Sequence, residues 1–412
     1  MKDIKILREL AKQYHEVTGN PIEEEKRILW ERHHNFEPVR PPVYLRAYAF
    51  NEVMDPKDFL CEDPFYRSYE AQLREKLFHS ELGDDFVFEP WLNLRAIFEP
   101  VAEMRWGMKL GLGEKVAVGG AAAFNPILLE ESDLDKIIPG THTVNEVITK
   151  ERYEKLYEAI GDIIDINIDR GSIYTMFSGD ISTDLAKLRG IEQIMWDAYD
   201  RPEWLHKLLS VMRDGILKEQ ADAEEQGGYS LANHQNQAIT YAKELPRPKA
   251  NSGAVKRKDL WTFMASQEFT TFGPDMFYEF LLQYQMPIME KFGLVAYGCC
   301  EDLTMKIDYL RKIPNLKRIA VSPFANTKSC AEQIGRDYIV SWRPSPSLML
   351  STGLDEDFVR NYLREHFSIF KEHKNQFDIT LKDVETINHQ PENVKKWVTI
   401  VKEELEKQVF HI

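Results

Sequence analysis

Short apolar runs alternate with longer amphipathic stretches along most of this chain, and that alternation restricts the folds open to it more than any other feature. The runs that read as strands are Val43-Tyr44-Leu45, Phe86-Val87-Phe88, Ile173-Tyr174-Thr175-Met176, Trp261-Thr262-Phe263-Met264, 293–297, 318–321, 338–342 and Phe377–Leu381. Between them, segments such as 184–224, 274–292, 302–312, 326–335 and 355–373 carry apolar residues at helical spacing, mostly with acidic starts. Repeated strand–helix units predict a parallel sheet, because parallel strands need long crossovers and these are usually helical. Eight such units in 412 residues fit an α/β fold of the (β/α)8 (TIM) barrel type with insertions. No Gly-rich dinucleotide fingerprint follows any run, which argues against an open doubly wound sheet.

Residues 1–37 read as an N-terminal helical extension, with Ile4, Leu7, Leu10 and Ala11 at helical spacing and a break at Gly19-Asn20-Pro21. Residues 38–412 read as the barrel, with no repeat and no linker separating a second core. Two segments, 107–150 and 225–258, fit neither strand nor helix; the second is rich in Asn, Gln, Gly, Pro and Lys, and long loops of this kind are often functional.

Lys and Arg number 52 against 67 Asp and Glu, a net charge of −15 with no basic run, so nucleic acid is not an expected partner. No apolar run approaches the roughly 20 residues that span a bilayer, and the start lacks a signal-peptide pattern. Four cysteines make no disulfide framework, so a cytoplasmic location is expected.

A parallel barrel places its active site at the carboxyl ends of its strands. There the chain has Tyr297-Gly298-Cys299-Cys300-Glu301, two thiols and a carboxylate that can offer soft ligands to Zn²⁺ or a thiolate to a substrate. Packing of one Cys as a small hydrophobe is the plainer alternative. Glu268, Asp383 and the segment Trp342-Arg343-Pro344 also follow strands, where helix caps are the competing reading. Arg46 follows the first strand as a possible anion contact, and His234 lies in the polar insertion, within reach of a barrel mouth. Cys330 opens a helical stretch and Cys61 lies away from the strand ends, so both read as structural. The close pair His33-His34 sits in the charged start of the chain; no HExxH and no Gly-x-Ser-x-Gly elbow occurs.

These segments resemble the uroporphyrinogen decarboxylase superfamily from about residue 38 onward. Pro42-Val43-Tyr44-Leu45-Arg46 is similar to the family's Pro-Val-Trp-x-Met-Arg segment, one residue shorter, and Asp85–Pro90 to the segment carrying the decarboxylase aspartate. Ser266-Gln267-Glu268, Tyr297–Glu301, Trp342–Pro346 and Leu381-Lys382-Asp383 resemble a bacterial decarboxylase-like subgroup. The resemblance implies the barrel fold independently of the strand count. Ala47-Tyr48-Ala49-Phe50 stands where true decarboxylases have Gln-Ala-Gly-Arg, so the cations for a substrate bearing many carboxylates are short. Tyr297-Gly298-Cys299 falls on the His-x-Cys of the zinc-dependent, corrinoid-linked methyltransferases, with Tyr in place of His, and Asp383 stands where that branch has a later Cys.

What the resemblance implies is a corrinoid-dependent methyltransferase. It would move a methyl group from a small donor, such as a methoxylated aromatic (O-demethylation), to a corrinoid protein. Cys299, Cys300 and Glu268 become the expected zinc ligands, with Asp383, Glu301 and Asp85 as catalytic carboxylates. Arg46, His234, Tyr297 and Trp342 become the expected substrate contacts. Two alternatives stay open: a decarboxylase or other lyase acting on a smaller carboxylated substrate through Asp85 and Arg46, and a non-catalytic barrel that binds a corrinoid or tetrapyrrole. Superfamily barrels commonly pair, so a homodimer is expected.

Overall fold

The computed structural model describes residues 2–110, 112–115 and 122–408; within the 107–150 segment, residues 111 and 116–121 lie outside the described residues. Ten strands occur among the described residues: β1 (Val43–Leu45), β2 (Trp91–Arg95), β3 (Leu112–Lys115), β4 (Ala122–Phe124), β5 (Asp165–Asp169), β6 (Trp261–Met264), β7 (Leu294–Tyr297), β8 (Leu316–Val321), β9 (Ile339–Trp342) and β10 (Phe377–Leu381). Six of them form one parallel sheet in the order β1-β10-β9-β8-β7-β6. Their residues are almost all buried, as expected of parallel strands covered on both faces. β2 and β5 form a separate parallel pair, and β3 and β4 a short antiparallel one.

The expected barrel is therefore curled but not closed. Strand ladders are absent, among the described residues, between β1 and β2 and between β5 and β6. At the first gap the reason lies in Asp84-Asp85. The Val43 amide donates to Asp85 Oδ2 at 2.8 Å and the Leu45 amide to Asp84 Oδ2 at 2.9 Å, so carboxylates take the hydrogen bonds that a neighbouring strand would make. Phe86-Val87-Phe88, expected as a strand, is irregular here, and the strand itself comes later as β2.

At the second gap the polar insertion does the joining. Asn251 bonds β5 through Asn167 Oδ1 (3.0 Å) and the Ile166 carbonyl (3.0 Å), while His234 Nδ1 accepts the Trp261 amide of β6 at 3.2 Å. The strand here is Asp165–Asp169, whose alternating acidic and amide residues hide it from an apolar reading. The more apolar Ile173–Met176 is loop. Its Tyr174 hydroxyl donates to the Arg105 carbonyl at 3.0 Å and accepts the Gly140 amide at 3.1 Å.

Two helices open the chain, α1 (Lys2–Thr18) and α2 (Ile22–His34). α1 lays Leu7, Leu10, Ala11 and Tyr14 against α3 (Pro64–Ser80), α4 (Glu146–Ile160) and the apolar residues of β2 and β5. α2 brings His33 and His34 against the amino-terminal half of the sheet, where both are fully buried. Arg318 of β8 pairs with Asp378 of β10 at 2.8 and 3.0 Å and donates to Ser341 of β9 at 2.9 Å. His34 Nε2 accepts from Arg318 at 3.0 Å, so its Nδ1 donates to the Tyr241 carbonyl at 2.6 Å. His33 stands 3.3 Å from Asp378 Oδ2. Against the cost of burial, Arg318 and His33 hold the Asp378 carboxyl well below the usual carboxylate range.

Removing one partner of a buried ion pair leaves the other uncompensated, so Arg318→Met is expected to cost about 3–5 kcal/mol, read as a lowered urea midpoint. Asp85→Ala strands the buried Val43 amide at the open edge of β1 and is expected to cost about 1–3 kcal/mol.

Candidate active site

β7 is followed directly by Gly298, whose φ of +98° is open to glycine and strained for other residues. A Cβ there would also meet Leu303 Cδ1 at 2.6 Å and Ala320 Cβ at 2.9 Å. This tight turn delivers Cys299, Cys300 and Glu301 to the carboxyl ends of the strands. Glu301 is buried and spends both oxygens on backbone and hydroxyl donors: Ser266 N at 2.7 Å, Ser266 Oγ at 3.1 Å and Cys299 N at 2.7 Å. It braces the end of β6 against the end of β7 and leaves no oxygen directed at the thiols.

The centre of the site is Lys382, the first residue after β10. Its ammonium has three protons and three acceptors: Cys299 Sγ at 3.2 Å, Cys300 Sγ at 3.0 Å, and the Asp383 carboxylate. The two sulfurs lie 3.7 Å apart, and the Cys300 thiol has Asp383 Oδ2 as a second acceptor at 3.4 Å. Gln237, from the polar insertion, donates to Cys299 Sγ at 3.2 Å, and Arg343 Nη1 donates to the Cys299 carbonyl at 2.5 Å.

These neighbours sort the two thiols. The Cys300 proton and the charges of Arg343 and Lys382 outweigh burial and bring the Cys299 thiol down to about 6. Cys300 moves up, because it donates toward Cys299 and because it is buried. Burial opposes the charge on Asp383, yet Lys382 holds its carboxyl below the ordinary value. At neutral pH the cluster is thus a thiolate, a neutral thiol, an ammonium and a carboxylate.

A cavity of about 430 Å³ opens beside it, lined by Cys300, Arg343, Lys382 and Asp383 and walled by Phe324, Pro344, Pro346, Leu348 and Tyr362. Arg46 also reaches this end of the sheet, where it touches Met176 Sδ at 3.4 Å and opposes the charge of Arg343.

The other residues expected here lie elsewhere. Asp85 is at the amino-terminal end of β1, held by Arg40 at 2.6 and 2.7 Å and by the Val43 amide. His234 is at the start of β6, with Nε2 donating to the Pro246 carbonyl at 3.0 Å; burial lowers it to about 4. The Tyr297 hydroxyl points into the core and donates to Gln285 Oε1 at 2.7 Å. Trp342 is stacked on His366 at 4.9 Å within the packing of helix Glu356–Glu372, and only its neighbour Tyr362 reaches the cavity. Glu268 accepts from Ser182 Oγ at 2.7 Å and faces Asp180. Burial raises both of these carboxyls, and their mutual repulsion adds to the rise at Asp180.

Lys382 and Gln237 carry the site without having been singled out from the sequence, and Arg343 is named there only within the strand-end segment Trp342-Arg343-Pro344. Lys382 and Arg343 each follow a fully buried strand, and a cation at that position was the available signal. Gln237 had none beyond lying in a long loop.

Among the described residues no three His, Cys, Asp or Glu side chains come together as a metal site. The donor set as arranged does not fit zinc: Lys382 holds the position between both sulfurs and Asp383 that a cation would take, and Glu301 and Glu268 are engaged elsewhere. No helix among the described residues is long and apolar enough to cross a membrane.

No family model and no curated protein matches this chain. Among solved structures, a methyltransferase from Methanosarcina mazei is similar at 13% identity with a TM-score of 0.45, over 92% of this chain and 97% of that one.

Iodoacetamide alkylation of Cys299 is expected to follow its thiolate fraction, rising with pH through a midpoint near 6 and levelling off above it. Lys382→Met removes a cation and a donor, so the midpoint moves up toward the ordinary thiol value of about 8.5.

Proposed function

We propose that this chain is a methyltransferase whose reacting centre is Lys382 with Cys299, Cys300 and Asp383, and whose donor occupies the adjoining cavity. The observation that carries this reading is the ammonium held among a thiolate, a thiol and a carboxylate at the mouth of a parallel sheet. Leaving the methyl group behind puts an electron pair on the donor's oxygen, nitrogen or sulfur. Lys382 offsets the negative charge that develops there by exchanging its hydrogen bond to Cys300 for one to that atom, a bond that strengthens as the bond to carbon breaks. Cys299 and Asp383 keep Lys382 charged and aimed, and the apolar walls of the cavity keep water from screening it. A corrinoid held by a partner protein, as the family resemblance implies, would supply the nucleophile that takes the methyl group. A methoxylated aromatic suits the cavity, whose walls include Phe324 and Tyr362.

A second reading is a lyase that releases carbon dioxide from a small carboxylated substrate. It is favoured by the cationic mouth, where Arg46 and Arg343 have no carboxylate partner. In that reaction Lys382 would face the carbanion left behind.

The test is methyl transfer from methoxylated aromatics, methylamines and methylthiols to cob(I)alamin, followed by visible absorbance. One donor class is expected to react, with turnover falling about 10²–10³-fold in Lys382→Met. Carbon dioxide release from a carboxylate panel, with no methyl transfer from any donor, would establish the lyase instead.

A further inference from the structure

Five arginines are buried among the described residues, and four of them face carboxylates: Arg105 with Asp184 at 2.5 Å, Arg189 with Asp197 at 2.6 Å, Arg257 with Glu224 at 3.1 Å and Arg318 with Asp378 at 2.8 Å. That pattern is what desolvation demands, since a guanidinium taken out of water needs an anion to compensate. Arg343 breaks it. One of its nitrogens donates to the Cys299 carbonyl, its buried Nε has no partner, and no carboxylate lies within ion-pair distance. The nearby anions are committed: Glu301 to Ser266 and the Cys299 amide, Asp383 to Lys382. Arg46, at the same end of the sheet, has the Met176 sulfur and the Tyr44 hydroxyl as neighbours and no carboxylate within ion-pair distance among the described residues. In a chain of net charge −15, this mouth keeps two guanidinium groups without carboxylates.

We infer that Arg343 binds the carboxylate of the substrate, and that the substrate is a small carboxylate with an apolar, planar body. The planar fork of a guanidinium matches a carboxylate with two parallel hydrogen bonds; Arg343 lines the cavity, and its unpartnered Nε shows that the chain itself does not satisfy the group. The apolar body lies against Phe324, Tyr362 and Leu348, which wall the cavity that Arg343 enters. Arg46 adds charge from across the mouth. This inference rests on the cavity being the substrate site, and it narrows the donor in the proposed methyl transfer to one bearing a carboxylate.

Benzoate is the probe, with benzyl alcohol as its neutral counterpart of similar shape, each titrated calorimetrically into the full chain at fixed ionic strength. Benzoate is expected to bind one per chain and at least tenfold more tightly than benzyl alcohol. Arg343→Gln is expected to weaken benzoate tenfold or more while leaving benzyl alcohol unchanged. Arg343→Lys, which keeps the charge and loses the fork, guards against misfolding of the glutamine variant and is expected to weaken benzoate as well. Equal affinity for the two probes, or benzoate binding unchanged in both variants, would overturn the inference. Binding needs no chemistry, so benzoate held through Arg343 in a protein that transfers no methyl group would count against the methyltransferase reading alone.

Discussion

The buried pair of Arg318 and Asp378 is the constraint on which the rest of the molecule rests. Three neighbouring strands meet on it, because Arg318 belongs to β8, Ser341 to β9 and Asp378 to β10. His33 and His34 then attach α2 to the same pair, so the amino-terminal helices and the sheet share one polar core. A pair without protons to spare permits only one arrangement of its neighbours, and the tautomer of His34 follows from it. Desolvation makes any other arrangement costly, which gives this end of the sheet a single geometry. Two of the strands fixed there, β9 and β10, run on to Arg343 and Lys382 at their other ends.

At those other ends the charges are arranged for a different purpose. Lys382 is not neutralised by one carboxylate but shared among two sulfurs and Asp383, and Arg343 meets only a backbone carbonyl and the field of the Cys299 thiolate. A group such as Arg343, buried and incompletely paired, is where binding energy is gained when a ligand of opposite charge arrives. The two ends of one sheet therefore carry the same residue types in opposite conditions, saturated at the base and unsaturated at the mouth.

Much of this was legible in the sequence where a strand is buried on both faces. β1, β6 and β7 are continuous apolar or β-branched runs, β8, β9 and β10 are such runs interrupted at Lys317-Arg318, Ser341 and Asp378, and all six fall where the apolar pattern placed them. β2 and β5 were not legible, because Trp91-Leu92-Asn93-Leu94-Arg95 and Asp165-Ile166-Asn167-Ile168-Asp169 alternate with polar residues and lie beside more apolar loops. Closure of the barrel could not be read either, since it turns on Asp84 and Asp85 capturing amides across a gap. At the site, adjacency of Cys299 and Cys300 to a strand end was informative. That Glu301 is spent on Ser266, that Trp342 lies behind the sheet and that His234 lies at its opposite end are matters of direction, and spacing along a strand does not reveal them.

Residues of the 225–258 insertion, rather than a strand, hold β5 to β6, so the amides at that junction depend on one another. Asn251 donates to Asn167, Trp261 to His234, and Gln235 to the Trp261 carbonyl at 3.2 Å, while two residues further on Gln237 reaches the Cys299 sulfur. A side-chain junction of this kind opens more readily than a continuous ladder. Hydrogen exchange at Gln235, Asn251 and Trp261 is then expected to occur as a single cooperative event that also withdraws a hydrogen bond from the thiolate. The lifetime of the junction therefore sets how long Cys299 keeps its full complement of donors.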